Sequence, residues 1–120
     1  MIEIDPATTT GYGDRAEVKS TIKNFAGALE DLNKDIEINP DYEEAYNNRG
    51  LVKLELKDFT GAIADFAKTT ELNPEHDEAL YNKGMAKIES GAKDSGCSEL
   101  KRSSELGFAK AEEAVLKFCK

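Results

Sequence analysis

An all-α fold of stacked helix pairs is the class this 120-residue sequence predicts, and three observations carry the prediction. The three prolines, Pro6, Pro40 and Pro74, stand 34 residues apart. Each closes a similar phrase: Ile2-Glu3-Ile4-Asp5-Pro6, Ile36-Glu37-Ile38-Asn39-Pro40 and Thr70-Glu71-Leu72-Asn73-Pro74. Set against each other without gaps, residues 7–40 and 41–74 agree at 13 positions, among them Tyr12/Tyr46, Arg15/Arg49, Lys19/Lys53, Ala28/Ala62 and Asp31/Asp65. Between the prolines, apolar residues recur at the three-and-four spacing of a helix face. A fixed period of this length marks repeated supersecondary units.

The elements follow in chain order. Residues 2–6 match the end of a second helix whose remainder is absent, so the chain is expected to be a piece of a longer protein; the alternative is a gene that begins there. Thr8-Thr9-Thr10-Gly11-Tyr12-Gly13 is poor helix material, which places the first helix start near Asp14. Over 43–56, Ala45, Tyr46, Leu51, Val52, Leu54 and Leu56 form an apolar stripe, and Glu43 and Glu44 put negative charge in the first turn, where the helix dipole favours it. Lys57-Asp58 interrupts the pattern. Phe59 then opens a second stripe with Ala62, Ile63, Phe66 and Ala67, ended by Asn73-Pro74, since proline lacks an N–H and disfavours helical geometry in the residue before it. In the third unit Ser90-Gly91-Ala92 reads as the turn between helices, and Gly107 can close a helix in the left-handed conformation. A last helix is expected over 108–119, with Phe108, Ala111, Val115 and Phe118 on one face and Glu112, Glu113 and Lys117 on another. The expected core holds Tyr46, Gly50, Ala62, Phe66, Gly84, Leu100 and Phe118.

Composition narrows function. The net charge of −8 argues against nucleic acid or an anionic membrane surface as partner. No apolar run approaches the ~20 residues of a membrane span. The start Met1-Ile2-Glu3-Ile4-Asp5-Pro6 lacks a basic region followed by an apolar one, so no signal peptide is expected in this chain. One histidine and two cysteines exclude a His-rich or Cys-rich metal site and leave few catalytic options; no metal and no cofactor are expected. His76 lacks the partners a catalytic role needs and is expected to be a solvated turn residue. The acidic clusters Asp41/Glu43/Glu44 and Glu75/Asp77/Glu78 lack a calcium loop's alternating ligands, and Ser98, Ser103 and Ser104 lack a nucleophile turn. No enzyme is expected.

A 34-residue unit closed by proline resembles the tetratricopeptide repeat. Residues 43–76 carry the resemblance best: Tyr46 stands at the family's Trp, Gly50 at its small residue, Ala62 and Phe66 lie four apart on the second helix, and Pro74 ends the unit. Arg49 and Lys53 depart from the family's Leu and Tyr, and residues 9–42 are a weaker copy with Ala16 for Gly and Leu32 for Phe. The resemblance implies a single domain, a right-handed superhelix of three helix-turn-helix hairpins plus a C-terminal capping helix. Residues 1–8 would be a tail or the end of a preceding repeat, 9–42, 43–76 and 77–107 the repeats, and 108–120 the cap.

The resemblance also implies where function resides. In the family, first helices line a concave groove that holds an extended peptide or a partner helix. The matching positions are Glu44, Asn47, Asn48, Leu51, Leu54 and Glu55, then Glu78, Tyr81, Asn82, Met85, Ile88 and Glu89. Asn48 and Asn82 recur at the repeat period and, with a donor and an acceptor each, suit a peptide backbone. Tyr81 is expected on the exposed face. Asp14 and Glu17 lie on the equivalent face of the first repeat, and the set has no Lys or Arg, so the expected ligand carries Lys or Arg beside large apolar residues. Members that clamp a C-terminal carboxylate need cations; the matching residues here are Gly13, Glu17, Asn48, Glu78 and Asn82, of which only Asn48 fits. A protein-binding scaffold, monomeric or weakly self-associating, is the reading; the alternative is a structural segment of a longer solenoid used for self-assembly.

The stretch 91–119 also resembles the terminal unit of bacterial tetratricopeptide proteins with a Cys in each of the last two helices. Gly107 lies ten residues after Cys97 and twelve before Cys119, so in a helical hairpin the two thiols sit ~15 and ~18 Å from the turn, nearly level. A disulfide there would imply a periplasmic, envelope or secreted location. Two buried free thiols in a cytoplasmic protein remain the alternative.

Overall fold

The computed structural model describes residues 24–119, and among these there are six helices and no strand. They are α1 (Phe25–Ile38), α2 (Glu43–Glu55), α3 (Phe59–Leu72), α4 (Asp77–Glu89), α5 (Lys93–Glu105) and α6 (Ala109–Phe118). Residues 1–8, the expected helix start near Asp14, the clamp position Gly13, and Asp14 and Glu17 of the first repeat's face lie outside the described residues.

Each helix packs on the next along the chain, and α2 also touches α4. First helices α2 and α4 therefore lie side by side, with α3 wedged behind them. The closest approach inside a pair is at Gly50: a Cβ there would stand 2.5 Å from Phe66 Cε1. One repeat later, a Cβ on Gly84 would stand 2.8 Å from the Gly96 carbonyl oxygen and 2.9 Å from Leu100 Cγ. Ala62, Phe66 and Ala86 form one core cluster and Ala28, Leu32 and Val52 another. Tyr46, Gly50, Gly84 and Leu100 are buried as expected, but Phe118 is only half-buried. It ends the last helix, at the edge of the stack, and the Lys117 ammonium lies 5.3 Å from its ring centroid.

Local chemistry fixes the boundaries. Asn24 and Asp58 cap α1 and α3 by accepting the N–H of Gly27 and Gly61 at 3.2 and 3.0 Å. Gly91 and Gly107 close α4 and α5 at φ of 100° and 96°. Lys57 occupies the corresponding turn after α2 at φ 63°, a strained choice for a residue with a Cβ. A hydroxyl ties each pair together. Thr69 Oγ1 donates to the Glu43 carbonyl at 3.1 Å, and Ser103 Oγ, at the matching position of the next repeat, donates to the Asp77 carbonyl at 2.7 Å.

Candidate functional site

The face that α2 and α4 turn away from α3 and α5 is the candidate site. Exposed on the two helices are Glu55, Glu78 and Glu89; Glu44, Asn48, Leu51, Leu54, Tyr81, Met85 and Ile88 are half-buried; Asn47 and Asn82 are buried. Leu51 and Leu54 lean on the cluster of Ala62, Phe66 and Ala86, so only part of each faces outward. Ile88 lies against α5, where a Cβ on Gly96 would meet its Cγ1 at 2.8 Å.

Three expectations are corrected here. Asn82 does not stand free as the period-mate of Asn48. Its Nδ2 donates to Asn47 Oδ1 at 3.1 Å, in a buried bridge between the two first helices. The reason is stagger: side-by-side helices bring position 82 level with 47 rather than with 48. Tyr81 is not an open ring. It packs on Phe108 with centroids 5.3 Å apart and an interplanar angle of 57°, because the turn between α5 and α6 brings Phe108 back beside α4. His76 is not a solvated turn residue but a buried one. Its Nδ1 accepts the Ala79 N–H at 3.1 Å and so caps α4, which leaves the proton on Nε2 to donate to Glu44 Oε2 at 2.9 Å. A groove carboxylate is thereby held in place from the N-cap of α4.

Behind this face lies a motif that the family pattern disguised. Arg49 donates from Nε and Nη2 to both oxygens of Asp65, at 2.9 and 2.8 Å, and Lys53 Nζ stands 3.1 Å from the same carboxylate. Asp65 is buried, with a side chain only 5% exposed. The hydrogen bond to Asp65 raises the Arg49 pKa above its ordinary value against the opposing effect of burial. Arg49 also donates to Asn33 Oδ1 of α1 at 3.0 Å, binding the two repeats. The third repeat rebuilds the arrangement at its matching positions: Lys83 and Lys87 converge on Glu99 at 3.1 and 3.0 Å. Arg49 and Lys53, converging on one carboxylate, thus stand where the family has Leu and Tyr. The signal was present in the paired identities Arg15/Arg49, Lys19/Lys53 and Asp31/Asp65.

Cys97 and Cys119 are joined in a disulfide with Cα atoms 5.7 Å apart. It fastens the residue just past α6 to the first turns of α5. Among the described residues no group of three or more His, Cys, Asp or Glu is arranged to hold a metal ion, and no helix is long and apolar enough to cross a membrane.

The tetratricopeptide repeat family model matches residues 43–76, the α2–α3 pair. No curated protein matches the chain. Among solved structures, the first tetratricopeptide domain of Spaghetti (RPAP3), bound to the HSP90 peptide SRMEEVD, is similar with a TM-score of 0.89 and 18% identity, over 99% of this chain and 96% of that one. The tetratricopeptide domain of Arabidopsis OM64 is similar with a TM-score of 0.89 and 17% identity, over 94% and 95%. MamA is similar with a TM-score of 0.81 and 25% identity over 90% of this chain, which spans 63% of the MamA chain. Residues 43–76 thus match a tetratricopeptide repeat, and the described residues share the fold of solved tetratricopeptide domains.

Proposed function

We propose that this chain is a non-catalytic protein-interaction module, and that the α2/α4 face seats an extended or helical segment carrying Lys or Arg beside one or two large apolar residues. The observation that carries the reading is the composition of that face. Glu55, Glu78 and Glu89 are exposed there, around half-open Leu51, Met85 and Ile88. The peptide in the Spaghetti (RPAP3) structure is acidic, as its sequence SRMEEVD shows. An acidic groove without the clamp cations is a poor match to such a ligand and a good one to its charge opposite. Because Asn47 and Asn82 bond each other, their shared bridge sets the spacing of α2 and α4. Asn48, half-open on α2, is the amide left to meet a ligand backbone.

Affinity for such a segment is expected to be micromolar, about −8 kcal/mol, because the groove is short and the ligand must order on binding. Fluorescence anisotropy with a labelled peptide alternating Lys and Leu tests the reading. Binding should weaken with salt and with Glu78→Lys, and a Glu/Leu counterpart should not bind. Equal affinity for both peptides would refute it.

The likeness to the longer MamA chain favours a second reading, a segment of an extended solenoid that assembles through its ends. Concentration-dependent mass in size-exclusion chromatography would support it. We further propose an oxidising location, periplasmic, envelope or secreted, on the strength of the Cys97–Cys119 bridge.

A further inference from the structure

We infer that the Cys97–Cys119 disulfide is a redox latch on α6, and that opening it uncovers Tyr81 at the edge of the α2/α4 face. The part concerning Tyr81 and ligand rests on the groove reading above; the latch itself does not.

The argument begins with how little else holds α6. The helix has ten residues, fewer than the ~12–15 below which an isolated helix is marginal in water. Its N-cap, Phe108, makes no side-chain cap hydrogen bond. Only two of its residues are buried, Ala111 and Ala114, and both are small. Leu116 points outward at 67% exposure. Among the described residues, none of its charged side chains, Lys110, Glu112, Glu113 and Lys117, forms an ion pair with another helix. Besides the seam that Ala111 and Ala114 make with α5, α6 has one fastening at each end: Phe108 on the Tyr81 ring, and the disulfide just beyond Phe118.

Opening follows ordinary thiol–disulfide exchange. A dithiol reductant attacks one sulfur as thiolate, passes through a mixed disulfide, and leaves as its own cyclic or intramolecular disulfide. Two electrons and two protons end on Cys97 and Cys119 as thiols. The chain-entropy constraint on a loop spanning a sequence separation of 22 is then released, a factor on the order of a hundredfold or more in the docking equilibrium. Undocked α6 takes Phe108 with it, and the Tyr81 ring joins Met85 and Ile88 on the open face. The oxidised chain has a capped groove; the reduced chain has a longer, more apolar one.

The test is hydrogen exchange and aromatic NOEs on the full chain, with and without dithiothreitol. Reduction should speed amide exchange in α6 by at least about tenfold and abolish the Tyr81–Phe108 NOE, with α2, α3 and α4 still protected. The Cys97→Ser/Cys119→Ser variant should show the reduced pattern and no response to the dithiol. Unchanged α6 protection, or loss of protection throughout the chain, would overturn the latch. No ligand enters this readout, so its failure is separate from failure of the groove reading. A Lys/Leu peptide added to both states then tests the gate: its affinity should rise several-fold on reduction, and equal affinity would remove Tyr81 from the inference.

Discussion

Removing the Asp65 carboxylate is the sharpest perturbation of the energetics within the second repeat. Asp65→Ala deletes three contacts of 2.8, 2.9 and 3.1 Å and leaves Arg49 and Lys53 as neighbours with no counter-charge between them. Breaking a buried pair from one side costs about 3–5 kcal/mol, because the partner stays desolvated and unpaired. Here the two cations keep 22% and 23% side-chain exposure, so each can swing partly into water. The expected loss is therefore lower, about 2–3 kcal/mol. In urea denaturation followed by circular dichroism this appears as a lower midpoint with an unchanged slope. The triple change Arg49→Leu, Lys53→Tyr and Asp65→Leu puts the family's residues at 49 and 53 and removes all three charges at once. It should be neutral or stabilising, by up to about 4 kcal/mol, since no charge is left buried. A loss below about 0.5 kcal/mol for Asp65→Ala would refute the reasoning, because the carboxylate would then be dispensable to the hairpin.

Other predictions follow from single sites. Lys57→Gly should stabilise by about 0.5 kcal/mol, because φ 63° suits glycine and Gly91 already serves at the equivalent turn; a lower Tm would contradict it. Gly50→Ala should destabilise by about 1–3 kcal/mol, since its Cβ would press on the Phe66 ring, and a thermal melt at wild-type Tm would show that the ring yields freely. His76→Ala should lose about 1–2 kcal/mol, whereas His76→Asn should recover about half by restoring the α4 cap without the Glu44 bond; equal stability of the two variants would show that the cap contributes nothing.

The helix pairs were legible because prolines, glycines and apolar stripes act locally and recur at the repeat period. What escaped depended on register between elements. Arg49, Lys53 and Asp65 were visible as repeated identities, but their convergence requires the hairpin that folds residue 65 back beside 49 and 53. Asn82 meets Asn47 rather than its period-mate Asn48 because neighbouring helices are staggered, which the repeat period does not encode. His76 carries no cap signal in the sequence because Ser, Thr, Asp and Asn are the usual caps, yet an imidazole nitrogen at the same position accepts the same N–H. Tyr81 lay on the expected stripe, but its cover comes from Phe108, which the whole of α5 separates from it in sequence.

The central claim, that the α2/α4 face is the binding surface, is tested most directly by amide chemical-shift mapping of the labelled chain with the Lys/Leu peptide. Shifts concentrated at Glu44, Asn48, Leu51, Glu55, Glu78, Met85 and Glu89 are expected, abolished together by Glu55→Lys/Glu78→Lys/Glu89→Lys. Shifts confined to the outer faces of α3 and α5, surviving that triple substitution, would contradict it.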